Sequence, residues 1–354
     1  MKKTHELVAL DCGNANIKMA IGNRWVSFPH ALKRLGEVEI EEYSARGELN
    51  QNPDIFCVND EYFMIGERAI RKGAGEVLYG ENRYTPEYYG ILASIATFKL
   101  LEKSANNLFL IGEMTPKDII YRQDLIDSVI VSKRGIWTVE SMNCTKQFSF
   151  TAVRGYDEPV GIFRYATLGA QGGMQSGWLR SGRCCVIDLG GFTTGFSILN
   201  NGYVDYDASG SLELGMLDLE DELAKMLKKK HKALLQGSQW LEPLNLRDAL
   251  ADPGTGYNAR GAGYIQCTEE VDTIFAGFTR RLYAHFQGLG GITKFDTILL
   301  GGGGTGTAER RIRKVLKHPH TYLAESDLSI IHVASAMGAW RAANILLEAG
   351  KLSV

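Results

Sequence analysis

The chain has 354 residues, 45% of them hydrophobic and 23% charged, the composition of an ordinary globular protein of about two domains. Its 40 glycines are roughly 11% of the residues against a typical ~7%, yet only 8 prolines occur; this excludes collagen-like and disordered chains and predicts many tight turns. A net charge of −2 argues against direct, extensive DNA binding, and no apolar run approaches the ~18 residues that span a membrane.

Lys2 and Lys3 could open an export signal, but only residues 7–10 are apolar before Asp11. A strand is predicted there, and a cytoplasmic protein is expected. A second strand at 17–21 follows a short polar turn containing glycine, so the two form a β-hairpin. Residues 30–83 read as polar and irregular, with short strands at 55–58 and 62–65. Tyr89, Leu92, Ala96 and residues 98–101 recur at helical spacing and predict a helix over 86–103. Strands are expected at 108–111 and, as an antiparallel set, at 129–139 and 148–153. Beyond a glycine-rich stretch at 169–182 come strands 185–189 and 196–199, then a Leu-rich helix over 218–235. The basic run Lys228-Lys229-Lys230-His231-Lys232 closes that helix, where cations complement the helix dipole, and is not read as a nucleic-acid patch. A helix at 268–286, a strand at 297–300 and an Ala-rich helix at 332–347 complete an α/β chain. Its cysteines (Cys12, Cys57, Cys144, Cys184, Cys185 and Cys267) form no CxxC and no zinc spacing, and read as buried small hydrophobes in a reducing compartment.

The chain repeats itself. Val8-Ala9-Leu10-Asp11-Cys12-Gly13-Asn14-Ala15-Asn16-Ile17-Lys18 aligns with Cys185-Val186-Ile187-Asp188-Leu189-Gly190-Gly191-Phe192-Thr193-Thr194-Gly195. Each is an apolar strand, then Asp-x-Gly, a polar turn and a returning strand. The offset, 188 − 11 = 177, is half of 354. Two lobes on one plan are expected.

The chemistry of these hairpins suits phosphate. Glycine lets backbone N–H groups approach an anion closely, and Asn14, Asn16, Thr193 and Thr194 add short donors beside them. Asp11 and Asp188 sit at strand ends, where carboxylates can hold the waters of a Mg²⁺ ion. Lys18 adds a cation for a phosphate. The strand ending at Leu300 runs into Gly301-Gly302-Gly303-Gly304-Thr305, a flat backbone on which a purine or sugar can lie. No Gly-Lys-Ser/Thr follows, so this is not a P-loop.

Residues 10–18 resemble the first phosphate motif of the actin/Hsp70/sugar-kinase superfamily. Residues 187–194 resemble its second, residues 299–304 its adenosine motif, and Ala334-Ser335-Ala336-Met337-Gly338-Ala339 its second connecting helix. The D-x-G-x-x-N-I-K form of the first motif, the length and the layout between motifs are most similar to the ParM/StbA-type bacterial actins, the plasmid-segregation ATPases.

That resemblance implies a two-lobed, ribonuclease H-like α/β ATPase fold with a central nucleotide cleft. Lobe I would span 1–165, with a small subdomain at about 31–83, and lobe II 166–333; the helix at 334–354 would return to lobe I. It implies ATP or ADP with Mg²⁺, GTP being an alternative. The nucleotide would be held by Asp11, Gly13, Asn14, Ala15, Asn16 and Lys18, by Gly190, Gly191, Phe192, Thr193 and Thr194, and by Gly301, Gly302, Gly303, Gly304 and Thr305. Asp11 and Asp188 would support the metal through water, and Asp188 would also serve hydrolysis. The residue that orients the attacking water falls on Tyr156, Asp157 or Glu158, according to the alignment of Pro159-Val160-Gly161; Glu158 is preferred. The implied function is an ATPase that polymerises into dynamic filaments and segregates DNA through a DNA-binding adaptor, with no membrane partner. Alternatives on the same fold are another filament role, such as a scaffold or organelle positioning, and a non-polymerising kinase or chaperone-like ATPase.

Overall fold

The computed structural model describes residues 6–72, 85–114, 135–169, 173, 174, 176–235, 241–259 and 263–352. The strands are β1 (Glu6–Cys12), β2 (Asn16–Ile21), β3 (Arg24–Pro29), β4 (Leu32–Arg34), β5 (Ile55–Val58), β6 (Glu61–Ile65), β7 (Ala105–Met114), β8 (Trp137–Ser141), β9 (Cys144–Asp157), β10 (Arg183–Leu189), β11 (Thr194–Asn200), β12 (Tyr203–Leu212), β13 (Tyr257–Ala259), β14 (Gly263–Ile265), β15 (Thr297–Gly301) and β16 (Thr321–Leu323). The helices are α1 (Glu37–Ala45), α2 (Gly66–Arg71), α3 (Pro86–Leu100), α4 (Glu158–Thr167), α5 (Met216–Lys230), α6 (Pro243–Ala251), α7 (Thr268–Gly288), α8 (Thr305–Leu316) and α9 (Ala334–Glu348). They form two compact units, Met1–Trp178 with Val333–Val354, and Leu179–His332.

The first unit holds one sheet in the order β3-β2-β1-β7-β9-β8-β5-β6-β4. β1 is antiparallel to β2 and parallel to β7. Because side chains alternate along a strand, Val8, Leu10 and Cys12 join the core beneath α3, while Leu7 and Ala9 pack on Ala339 and Ala343 of α9. Burial on both faces is why residues 7–10 read as a continuous apolar run rather than an alternating one.

The second unit repeats the plan. Its main sheet runs β12-β11-β10-β15-β16, with β10 antiparallel to β11 and parallel to β15. This matches β3-β2-β1-β7-β9 strand for strand, so the duplicated sequence pattern is a duplicated α/β topology. On one face Leu219, Leu223 and Leu227, one helical turn apart on α5, are buried with Phe275, Phe278, Leu282 and Phe286 of α7. Each such side chain contributes about 1.5–3 kcal/mol when fully buried.

Several expectations change. The segment expected to be irregular from residue 30 contains α1 and α2 as well as β4–β6; residues 73–83 of it lie outside the described residues. α1 buries only Tyr43, so it has no apolar stripe to detect. α3 stops at Leu100, where Leu101 turns extended, not at 103. α5 stops at Lys230 rather than 235: the His231 backbone leaves helical geometry at φ −117°, ψ 32°, a separate turn follows at residues 232–235, and Leu235 drops into the core. Of the predicted strand 129–139, residues 129–134 lie outside the described residues. Residues 257–259 and 263–265, where no strand is predicted, pair as the short antiparallel β13 and β14. Cys144, at the start of β9, is exposed, whereas the other five cysteines are buried. Among the described residues, no helix is long and apolar enough to cross a membrane.

Candidate functional site

In the first unit, antiparallel pairing sets Asp11 of β1 opposite Lys18 of β2. The Lys18 ammonium donates to Asp11 Oδ2 at 2.5 Å, and both residues are buried. Such a pair is strong because little water screens it. Asp11 Oδ1, also buried, has no hydrogen-bond partner among the described residues. A Cβ at Gly13 would lie 2.8 Å from the Asn16 carbonyl oxygen and 3.2 Å from Asp11 Oδ1, so a side chain there would push the turn open. His30, just after β3 and 2% exposed, reaches the same turn. Its Nδ1 donates to the Gly13 carbonyl at 2.7 Å, and its backbone N–H donates to the Ala15 carbonyl at 2.9 Å.

Parallel pairing carries the site across the sheet. Asp11 stands beside Glu113 of β7, and Glu113 beside Tyr156 of β9. Glu113 is wholly buried, and the Ser335 hydroxyl of α9 donates to its Oε1 at 2.8 Å. The same hydroxyl is 2.7 Å from the Glu158 carbonyl oxygen. Burial first, then the negative charge of Asp11, pushes the Glu113 carboxyl well above the usual carboxylate range, and Glu158 adds to this. Two glycines allow such close approach. A Cβ on Gly161 of α4 would lie 2.6 Å from Glu113 Oε1, and one on Gly338 of α9 would collide with the Gly161 carbonyl.

The three candidates for orienting water have different surroundings. Tyr156 packs beside Leu7, Ala9 and Phe109, and burial pushes its phenol up to about 12. Asp157 caps α4, its Oδ1 accepting from the Val160 N–H at 3.4 Å. Glu158 is the first residue of α4 and is half-buried.

In the second unit, Leu189 pairs with Thr194, and the Gly190 N–H closes the turn on the Thr193 carbonyl at 3.0 Å. The first amides of α5 sit on this turn: Met216 N–H donates to the Gly190 carbonyl at 3.1 Å and Leu217 N–H to the Gly191 carbonyl at 2.7 Å. Phe192 is exposed at the tip. The Thr194 hydroxyl is engaged elsewhere, donating to the Leu214 carbonyl at 2.6 Å. Asp188 stands in register with Gly301 of β15. Gly302 has φ +89°, and a Cβ there would collide with the Asp188 carboxylate. A Cβ on Gly304 would lie 2.5 Å from Met216 Cγ, whereas Gly303 has only His332 Cβ nearby, at 3.9 Å. Thus Gly302 and Gly304 are required by packing, and Gly303 is the open one. Thr305, first in α8, returns its hydroxyl to the Gly301 carbonyl.

Glu113 and His30 belong to this constellation of the first unit and escape the sequence motifs; Ser335 lies in the connecting-helix motif, which gave it no site role. Glu113 carried a signal all the same: like Lys18, it is a lone charged residue within an apolar run, residues 108–114 against 17–21.

No protein-family model matches the sequence, and no curated protein matches it. Solved structures do. A ParM filament of 15 strands from Clostridium botulinum is 15% identical over 97% of this chain and 99% of its own, with a TM-score of 0.76. An archaeal actin homologue in complex with ADP is 17% identical over 96% and 99%, with a TM-score of 0.70. Bacillus thuringiensis ParM with AMPPNP is 14% identical over 98% and 100%, with a TM-score of 0.64. Near-complete coverage on both sides, with the duplicated sheet plan described above, makes the fold of this chain that of the actin-like, ParM-type proteins.

Proposed function

We propose that the chain binds ATP through its two Asp-x-Gly turns, hydrolyses it and assembles into filaments. The observation that carries this reading is the repeated turn itself. Residues 13–16 and 190–193 each join paired strands behind a buried aspartate, on topologically equivalent sheets. The similar structures described with ADP, with AMPPNP and as a filament support the same reading.

Gly13, Asn14, Ala15, Asn16, Gly190, Gly191, Phe192 and Thr193 would offer backbone donors to the phosphates, and Gly303 the open backbone for the base or sugar. Asp11, whose Oδ1 has no hydrogen-bond partner among the described residues, and Asp188 suit the support of a hydrated Mg²⁺, which when bound would neutralise phosphate charge. Glu158 is the preferred water-orienting residue, because the Asp157 carboxylate caps α4 and the Tyr156 phenol stays neutral. Hydrolysis then depends on positioning and electrostatics, with no covalent intermediate. A nucleotide-dependent change of ~1.4 kcal/mol at the subunit contact alters filament affinity about tenfold. Head-to-tail contacts that do not close give filaments rather than rings. Service in DNA segregation through a DNA-binding adaptor is the role this reading favours.

Light scattering and pelleting with Mg-ATP, with ADP and without nucleotide test it. Nucleotide-dependent polymer at micromolar concentrations is expected; its absence under all three conditions overturns the filament reading.

A further inference from the structure

His30 lies outside both phosphate motifs, yet it makes two hydrogen bonds to one turn, to the carbonyls of Gly13 and Ala15. A carbonyl oxygen only accepts, so Nδ1 carries the proton. The described peptide bonds contain no cis link. In a trans peptide the C=O and the next residue's N–H point in opposite directions. Holding the Gly13 and Ala15 carbonyls on one side therefore turns the amides of Asn14 and Asn16 to the other. The second unit does the same with different means. There the amides of Met216 and Leu217 hold the carbonyls of Gly190 and Gly191, which turns the amides of Gly191 and Phe192 away from α5. In the second unit β12 leads into α5, whose first amides are those donors; in the first unit β3 leads through His30 into β4 with no helix there, and the His30 side chain supplies the missing donor.

We infer that His30 is a positioning residue for an anion-binding turn, orienting the Asn14 and Asn16 amides toward the phosphates of a nucleotide. This rests on the ATP-binding reading for its ligand, but not for the ordering of the turn. Imidazole is not needed for its basicity here; a neutral donor at the Nδ1 position suffices. Asn places its Nδ2 donor near that position, whereas Gln places its donor farther out, near Nε2.

The test uses the full chain with His30→Ala, His30→Asn and His30→Gln. Amide hydrogen exchange of the segment around residues 12–17 is measured alongside ATP affinity by calorimetry in the presence of Mg²⁺. His30→Ala is expected to speed exchange of that segment about tenfold and to weaken ATP about tenfold, the ordinary worth of one buried hydrogen bond. His30→Asn is expected to restore both to within about threefold, and His30→Gln to behave like His30→Ala. Unchanged exchange in His30→Ala overturns the inference. So does faster exchange with unchanged ATP affinity, or equal behaviour of the Asn and Gln variants. Should His30→Ala fail to fold, the Asn and Gln pair decides alone. A wild-type chain that binds no ATP overturns the nucleotide role, while the exchange data still decide whether His30 orders the turn.

Discussion

Lys18 and Asp11 face each other across β1 and β2, and the ammonium meets the carboxylate at 2.5 Å with both residues buried. The two residues lie on either side of the first Asp-x-Gly turn, so the pair ties the strands together beneath it. Removing one partner leaves a buried charge uncompensated, at a cost of about 3–5 kcal/mol. Lys18→Met is expected to lose about that much in denaturant titration. The Asp11→Asn, Lys18→Met double variant should lose less than the sum of the single losses, the non-additivity that marks a direct pair.

Glu113 makes stability depend on pH. Its carboxyl is raised well above the usual range by burial, so the unfolded chain releases this proton at lower pH than the folded one. Below the unfolded value both states are protonated and the group has no effect. As pH rises through that value towards the raised one, the unfolded chain holds fewer protons and stability falls. Glu113→Gln, which mimics the neutral acid, should match the wild-type melting temperature near pH 4 and exceed it increasingly towards pH 8. A wild-type advantage at pH 8 contradicts the assignment.

Where α4 crosses α9, Gly338 stands against the Gly161 carbonyl with no room for a methyl group. Gly338→Ala should cost about 1–3 kcal/mol by overpacking, despite the better helix propensity of alanine. Gly306, with open space around its Cα, is the control. Equal melting temperatures for Gly338→Ala and Gly306→Ala would count against this crossing.

If the chain hydrolyses ATP as proposed, Glu158→Ala should slow phosphate release at least about tenfold while sparing nucleotide-dependent assembly. Asp188→Ala should abolish release without unfolding the protein. Should Asp157→Ala affect release alone and leave the melting temperature unchanged, the capping and water-orienting roles are exchanged.

Thiol reactivity separates the cysteines. Cys144 is exposed, while burial raises Cys184 to about 12 and Cys185 well above the ordinary thiol value. An aromatic disulfide reagent at pH 8 should titrate one thiol quickly in the native protein and all six after denaturation.

Much of the fold and of the candidate site is legible in the sequence. The Asp-x-Gly hairpins, their repeat at half the chain length and the strand entering Gly301 declare themselves because hairpins and glycine turns are set by neighbours in sequence. The same locality explains the errors. α1 buries too little to leave a periodic trace, and α5 ends because the His231 backbone leaves helical geometry while Leu235 still reaches the core, which helical spacing does not register.

The residue pattern by itself determined the two Asp-x-Gly hairpins, the twofold plan and the Asp11, Gly13, Asp188, Gly190 and Gly301–Gly304 candidates. Only the tertiary structure decided that Lys18 neutralises Asp11, that Asp157 rather than Glu158 caps α4, and that Glu113, Ser335 and His30 join the constellation. Ser335 and Glu113 are 222 residues apart and meet because β7 pairs with β1 while α9 crosses α4 at two glycines. Such contacts depend on which strands pair and which helices cross, and those choices are made by burying surface across the whole unit; no short stretch of residues encodes them.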